Sequence, residues 1–186
     1  MSILKTFKID VCQRDLNFIY KKVSEYPWHE MPSDGGWQFG ANIDFMKDLC
    51  KYWVEQFDWK RQEDKINLFD NFTAEVDGIE VHFIYERGSG SKPKPLIISH
   101  GWPGSIIEFI EIIDPLAHPE RYGGNAEDAF DVIVPSLVGF GFSGKPPRPY
   151  GPRRMALIFN KLMTEVLDIR VISLRVAIGV VLYQLG

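Results

Sequence analysis

The chain has 186 residues, of which 45% are hydrophobic and 25% are charged, values typical of one globular domain or slightly more. The formal net charge is −4 and no basic stripe occurs, so the composition argues against nucleic-acid binding. The two cysteines, Cys12 and Cys50, match neither a disulfide framework nor a metal-ligand spacing. We expect no metal and no other cofactor.

The N-terminus and the longest apolar run bear on where the protein resides. The first ten residues lack the apolar region of a signal peptide. No uncharged apolar run reaches the roughly 18 residues that span a bilayer, since the longest candidate, from Val171 onward, contains Arg175. We therefore expect a cytoplasmic protein without a membrane span.

The first 70 or so residues are rich in aromatic side chains and mainly helical in pattern. Apolar residues recur at helical spacing over 10–23 and again over 43–57, where Phe45, Leu49 and Trp53 share one face. The stretch 27–40 contains a cluster of Pro, Ser, Asp and Gly and is predicted to be a loop.

A β-hairpin is predicted next, over residues 72–88. Two β-rich runs flank Asp77-Gly78, a dipeptide that suits a two-residue turn because both of its positions need a positive φ. The polar segment 89–94 then leads to a different pattern.

From Pro95 onward, strands and helices alternate. The apolar runs 96–98 and 131–135 are predicted strands, and 105–116 and 155–167 are predicted helices. Strands that alternate with helices predict a parallel sheet, so the chain is assigned to the α/β class.

The most informative motif is S-H-G-W-P-G-S at residues 99–105, directly after a predicted strand and before a predicted helix. In open α/β sheets this carboxyl end of the strands is where ligands bind. Gly101 and Gly104 allow close approach of the backbone, and Ser105 with Glu108 forms a capping box. A free backbone N–H in such a turn can stabilise a developing oxyanion.

A second motif, P-S-L-V-G-F-G-F-S at residues 135–143, follows the strand D-V-I-V-P. Alternating glycines and aromatic residues suit a loop that lines a pocket. Taken alone, the motif favours a structural loop with buried aromatic side chains.

Together these segments resemble the epoxide hydrolase branch of the α/β-hydrolases. LIISHGWPGSIIEFIEIIDPL and FDVIVPSLVGFGFSGKP are similar to its core, and YWVEQFDWKRQEDKINLFDNFTAEVDGIEVHFIYERG is similar to the N-terminal extension of microsomal and juvenile-hormone-type enzymes. The resemblance covers about residues 7–167. It implies an extension over 1–94 and the first part of a hydrolase core over 95–167. Val138 departs from the proline that is common in the family.

The resemblance also implies a mechanism and a substrate, a small-molecule epoxide met in detoxification. A carboxylate on a strand–turn–helix elbow attacks an epoxide carbon, two tyrosines protonate the alkoxide, and a histidine with an acidic partner activates water to hydrolyse the ester. Of these parts only the oxyanion loop matches this chain, at four consecutive residues: His100, Gly101, Trp102 and Pro103.

The nucleophile is missing where the family pattern requires it. After Leu167 the chain contains no G-x-D-x-G elbow, and its one carboxylate there, Asp168, has no flanking glycines. The remaining histidines (His29, His82 and His118) have no evident partner in the sequence and are interpreted as structural. We expect this chain to be an incomplete homologue that is inactive by itself. A non-catalytic binding module of the same ancestry is the alternative, and a dehalogenase or esterase is disfavoured by the extension.

Residues 168–186 are predicted to be an out-of-frame tail. With one base inserted after codon 167, synonymous codons for these residues can be read as GYSRYISQGGDWGRAISTW, which contains a strand, a G-G-D-W-G elbow and a helix start. In each shifted codon only the first base can vary, because it is the third base of a present codon. The other two bases are fixed, so few amino acids are possible at each position. The nucleophile would then stand where Ile178 stands now.

Overall fold

The structure, a computed structural model, describes residues 4–30, 36–170 and the backbone of residues 173–176. It divides into two compact units: Ile9–Asp64 forms one, and the described residues of 1–8 and 65–186 form the other. Residues 31–35 of the loop predicted over 27–40 lie outside the described residues, as do residues 171–172 and 177–186 of the predicted tail, including Ile178.

The elements are numbered in chain order. They are β1 (Lys5–Thr6), α1 (Gln13–Ser24), α2 (Ile43–Glu55), α3 (Trp59–Ile66), β2 (Asn71–Val76), β3 (Ile79–Glu86), β4 (Lys94–Ser99), a 3-10 turn (Ile106–Phe109) that continues into α4 (Ile110–Ala117), two further 3-10 turns (Pro119–Tyr122 and Ala126–Asp128), β5 (Phe130–Pro135), α5 (Pro152–Lys161) with a π-helical turn (Leu162–Val166), and β6 (Ser173–Val176).

The two helices predicted within the unit Ile9–Asp64 are confirmed as α1 and α2. Asn42 begins α2 because its side-chain oxygen accepts the amides of Asp44 and Phe45 at 3.0 and 2.9 Å. The apolar face of α2 nevertheless has no buried residue. It lines an apolar cleft of about 540 Å³. Some of the aromatic side chains of this region therefore face an open cleft and are not packed in a closed core.

The helix α3 was not predicted, because its sequence W-K-R-Q-E-D-K-I has too few apolar residues to show a helical period. Its position depends on a buried carboxylate instead. Glu63 accepts the Val11 amide and the Trp59 indole N–H, each at 2.7 Å, and pairs with Lys60 at 2.8 Å. Hydrogen bonds to the charged form hold the pKa of Glu63 below its usual value against the opposing effect of burial, which is the largest single contribution.

The predicted hairpin is confirmed in the second unit. β2 and β3 pair antiparallel with Val76 opposite Ile79, and both turn residues have positive φ, +52° at Asp77 and +76° at Gly78. The Asp77 carboxylate also contacts Arg154 at 2.8 Å and Lys161 at 2.5 Å, which fixes the turn against α5.

The six strands form one sheet in the order β1-β2-β3-β5-β4-β6. β4 pairs parallel with both β5 and β6, which confirms the parallel arrangement predicted for 96–98 and 131–135. The hairpin belongs to the same sheet, because β3 pairs antiparallel with β5. The sheet is therefore mixed, and α5 packs on it over a core that includes Phe83, Ile133 and Ile158.

The helices predicted over 105–116 and 155–167 are present with local irregularities. The first begins as the 3-10 turn before α4, and the second ends in the π-helical turn Leu162–Val166. Among the described residues, no helix is long and apolar enough to cross a bilayer.

The positive φ of Gly78 in the hairpin turn can be tested by substitution. Replacement of Gly78 by Val is expected to lower the free energy of unfolding by about 1–2 kcal/mol, because a β-branched residue is strained at positive φ. A Cβ at this position meets no atom within 4 Å, so strain is the expected cause rather than a clash. Urea unfolding measures the change. Gly78→Asn is the matched control, since asparagine tolerates the left-handed region, and an equal loss in both variants would contradict this explanation.

Candidate active site at the carboxyl ends of the parallel strands

The carboxyl ends of β4 and β5 lie side by side, because Ile97 is paired with Ile133 in parallel register. His100 follows β4 and Ser136 follows β5. The sheet thus brings the two sequence motifs to the same edge, where parallel α/β sheets bind ligands.

The turn from His100 to Ser105, the HGWP turn, is closed by its own backbone and by a reciprocal cap. The Gly104 amide donates to Gly101 O at 2.8 Å. Ser105 Oγ accepts the Ile107 amide at 3.3 Å, and the Glu108 carboxylate accepts the Ser105 amide at 3.1 Å, as the sequence predicted. A Cβ on Gly104 would lie 1.5 Å from Glu108 Oε1, so the cap needs glycine there.

The His100 ring is fully buried and both of its nitrogens meet the backbone. Nε2 accepts the Leu137 amide at 3.1 Å, so the proton resides on Nδ1, which donates to Gly101 O at 3.1 Å. Phe140 packs against the ring at 6.0 Å between centroids. With both nitrogens engaged, this imidazole orients the turn and has no free nitrogen to act as a base.

Trp102 lies at the open side of the turn, with its side chain 76% exposed. Within the described residues its backbone N–H donates to no acceptor. Pro103 beside it is exposed and Gly101 is buried. A backbone N–H aimed from a fixed turn can stabilise a developing negative charge by about 3 kcal/mol.

The loop over residues 136–144, the glycine loop, packs against the other side of His100. Gly139 and Gly141 have φ of +84° and +50°, and a Cβ on Gly141 would lie 2.9 Å from Ser136 Oγ. The Val138 amide faces Met155 Sδ at 3.4 Å, a contact that a proline could not donate. The loop therefore has a tight backbone course set by these glycines.

The sequence analysis missed one buried cluster beside the glycine loop. His82 on β3 contacts Ser136 Oγ through Nδ1 and Asn71 Oδ1 through Nε2, each at 3.0 Å. His118, also interpreted as unpartnered, contacts Glu86 at 3.1 Å. An alternating strand pattern indicates that His82 can face the core, but it does not identify partners 11 and 54 residues away.

No group of three or more His, Cys, Asp or Glu side chains in the described ranges could hold a metal ion. Asp168, the carboxylate considered for a nucleophile, is exposed and lies 3.7 Å from Arg170. It adopts a positive φ of +53° at the end of the π-helical turn. The geometry gives it no role at the HGWP turn.

Two family models match this chain. The α/β-hydrolase fold model matches residues 94–172, in agreement with the strand order and the site position. The model of the epoxide hydrolase N terminus matches residues 4–109, more than half of the chain. The chain belongs to the epoxide hydrolase family.

Individual relatives agree with this assignment. A protein of Stigmatella aurantiaca named as an epoxide hydrolase is 39% identical over 86% of this chain and 37% of its own length. Epoxide hydrolase 1 of Oryctolagus cuniculus is 32% identical over 88% of this chain and 37% of its own length. The crystal structure of juvenile hormone epoxide hydrolase from Bombyx mori matches with a TM-score of 0.77 at 28% identity, over 89% of this chain and 44% of that one. The chain thus spans about 37% of the length of the curated relatives it matches.

The cap of the HGWP turn can be tested by a double-mutant cycle on unfolding. Glu108→Ala should cost about 1 kcal/mol because it removes the acceptor of the Ser105 amide. Gly104→Ala should cost a similar amount, because the added methyl displaces the same carboxylate. In the Glu108→Ala background the Gly104→Ala change should cost only a few tenths of a kcal/mol. Additive losses would show that Gly104 is needed for another reason.

His82 provides a pH test. Burial lowers the pKa of His82 from 6.5 to about 4. Between these values the unfolded chain binds a proton that the folded protein does not, so the free energy of unfolding falls as the pH falls from 6.5 towards 4. The full difference corresponds to about 3 kcal/mol. Urea unfolding of the wild type and His82→Gln at several pH values measures it. The gap between them should narrow at low pH, and a constant gap would contradict the assignment.

Proposed function

We propose that this chain is the N-terminal part of an epoxide hydrolase, in which the HGWP turn stabilises negative charge during hydrolysis of an enzyme-bound ester. The observation that supports this most is the Trp102 amide, unpaired within the described residues, on a turn that His100 anchors at the carboxyl end of β4. Epoxide substrates are proposed from the named relatives.

The geometry of the four site residues supports the role proposed for each. Trp102 donates its backbone N–H to the oxyanion. Gly101 brings the backbone close, and Pro103 restricts the chain beyond it. His100 holds the turn through its Nδ1 contact with Gly101 O and its Nε2 contact with the Leu137 amide. These groups stabilise a charge but form no bond to the substrate.

The chain as written is proposed to be inactive alone. An oxyanion donor lowers a barrier only after a nucleophile has formed the ester, and neither a nucleophile nor a paired base is assigned in this chain. The expected result is no turnover of styrene oxide by the purified 186-residue protein. Turnover that a substitution within the chain abolishes would overturn this part of the proposal.

We further propose that residues 168–186 are an out-of-frame reading of the nucleophile elbow. The position of β6 supports this idea. β6 is parallel to β4, and its last residue, Val176, is paired with Ser99, the residue directly before the HGWP turn. An α/β-hydrolase needs a strand–turn–helix elbow at such a place. In the shifted reading the G-G-D-W-G sequence starts at position 176.

The codons illustrate how narrow the match is. Residues 175–180, R-V-A-I-G-V, can be written AGG-GTG-GCG-ATT-GGG-GTC. The shifted reading of the same bases is GGT-GGC-GAT-TGG-GGT, or G-G-D-W-G. The last two bases of each shifted codon come from the first two bases of a present codon, which leaves one base to choose at each position.

The nucleotide sequence after codon 167 tests the frame directly. The expected result is that a one-base shift encodes G-G-D-W-G, and the idea fails if neither alternative frame does. If the shift is found, the longer protein read in that frame should hydrolyse an epoxide, and replacement of the elbow aspartate by asparagine should abolish turnover. A normal frame with no further hydrolase sequence would instead favour a non-catalytic binding module.

Three finer assignments are part of the same proposal. We propose a boundary between extension and core near residue 94, and the start of the matched α/β-hydrolase segment at residue 94 supports it. A cytoplasmic location is proposed on the two free cysteines. The biological role proposed is epoxide detoxification.

A further inference from the structure

The cluster around His82 is unused by the proposed reaction and almost entirely buried. His82 is 0% exposed, Ser136 1% and Asn71 2%. The three side chains form a Ser–His–Asn series that resembles a catalytic triad in its contacts. Burial excludes that use, because no substrate reaches Ser136 Oγ. The cluster therefore needs another explanation, because burying a polar group lowers the stability of the fold unless each of its hydrogen bonds is made.

The hydrogen-bond partners determine the protonation of His82. The Asn71 amide nitrogen donates to Ile66 O at 3.0 Å and to Phe69 O at 2.8 Å, so Asn71 Oδ1 faces the imidazole. Nε2 of His82 therefore carries the proton and donates to Asn71. Nδ1 is then an acceptor, and the Ser136 hydroxyl donates a hydrogen bond to it.

The backbone of the glycine loop is tied to the same residue. The Ser136 amide donates to His82 O at 2.9 Å. The His82 amide donates to Ser143 Oγ at 3.0 Å, and that hydroxyl donates to Ser136 O at 2.8 Å. Phe7 and Phe142 pack edge-on against the imidazole at 5.1 and 5.2 Å. Three hydrogen bonds thus hold Ser136 directly, through its amide, its hydroxyl and its carbonyl oxygen.

That peptide is the one that reaches the HGWP turn. The nitrogen after the Ser136 carbonyl belongs to Leu137, and its N–H donates to His100 Nε2. His100 Nδ1 in turn donates to Gly101 O, next to Trp102. Hydrogen bonds and one peptide unit therefore connect His82 to the proposed oxyanion donor through Ser136, Leu137 and His100.

We propose that His82, with Asn71 and Ser136, is a positioning residue that orients the Ser136–Leu137 peptide and thereby fixes the His100 ring and the HGWP turn. The two buried histidines carry opposite tautomers. Asn71 Oδ1 fixes the proton on Nε2 of His82, and the Leu137 amide with Gly101 O fixes it on Nδ1 of His100. The orientation of the two histidine rings does not depend on the proposed function. The expected effect on hydrolysis does rest on the proposed function.

Nuclear magnetic resonance of the 186-residue protein tests the connection without any activity. Ser136→Ala removes one hydroxyl and leaves His82 Nδ1 without its donor. The Leu137 amide should then exchange with solvent about fivefold to tenfold faster than in the wild type, beyond any change in global stability. The His100 ring nitrogens should lose their single Nδ1–H pattern and show both tautomers. His82→Phe should produce the same changes.

Val81→Ala is the matched control. Val81 is the neighbouring buried residue on β3, and its truncation lowers stability by leaving a cavity while its side chain points to the opposite face from His82. The control should speed Leu137 exchange only as much as it lowers global stability, and it should leave the His100 tautomer unchanged. If Ser136→Ala behaves like the control, the positioning role is wrong.

Steady-state kinetics provide a second test if the longer protein, read in the shifted frame, is active. Ser136→Ala should then lower kcat severalfold with little change in KM, because the oxyanion donor acts on the reacting state rather than on substrate binding. An unchanged kcat together with altered His100 resonances would contradict the catalytic consequence and retain the structural connection. An inactive longer protein would overturn the proposed function and leave the resonance result standing.

Discussion

The hydrogen bond from the Leu137 amide to His100 Nε2 joins the ends of two adjacent parallel strands, and the candidate site depends on it. The packing of Phe140 on the His100 ring also links the HGWP turn after β4 to the glycine loop after β5. Because the donor is a backbone amide, the bond fixes the ring tautomer and the peptide direction at once. A buried, neutral acceptor at this position also removes the need to solvate the peptide.

Polar groups in this part of the fold are paired with unusual completeness. The described residues contain two buried side-chain polar atoms without a partner, His118 Nδ1 and Arg154 Nε, and neither belongs to the cluster around His82 and His100. Burying two histidines costs free energy that only satisfied hydrogen bonds offset. The hydrogen bonds of the two histidines reach the backbone of both loops, in agreement with the positioning role proposed for His82.

The chain belongs to a well-defined family but corresponds to only part of the length of its relatives. The N-terminal and hydrolase-fold matches together cover nearly all of its described residues, whereas it spans little more than a third of the matched relatives' length. The strand β6 occupies the sheet position next to β4, and its Val176 is paired with Ser99 before the HGWP turn.

Local patterns in the sequence determined the hairpin at Asp77-Gly78, the two parallel strands and the cap at Ser105 and Glu108. Each depends on residues that are close in the chain: a turn that needs positive φ, an alternating or continuous apolar run, or a side chain that reaches back one turn. The same local reading missed α3, whose position depends on the buried carboxylate of Glu63 rather than on an apolar period. It also predicted one continuous helix where a 3-10 turn precedes α4.

Only the tertiary structure decided which distant groups meet. The antiparallel pairing of β3 with β5 places His82 beside Ser136, and the parallel pairing of β4 with β5 places His100 beside Leu137. A histidine in a strand pattern specifies a face of the sheet but not a neighbour, because strand order and register are set by packing over the whole core. The sequence therefore indicated where the HGWP turn lies, and the sheet determined what holds it in place.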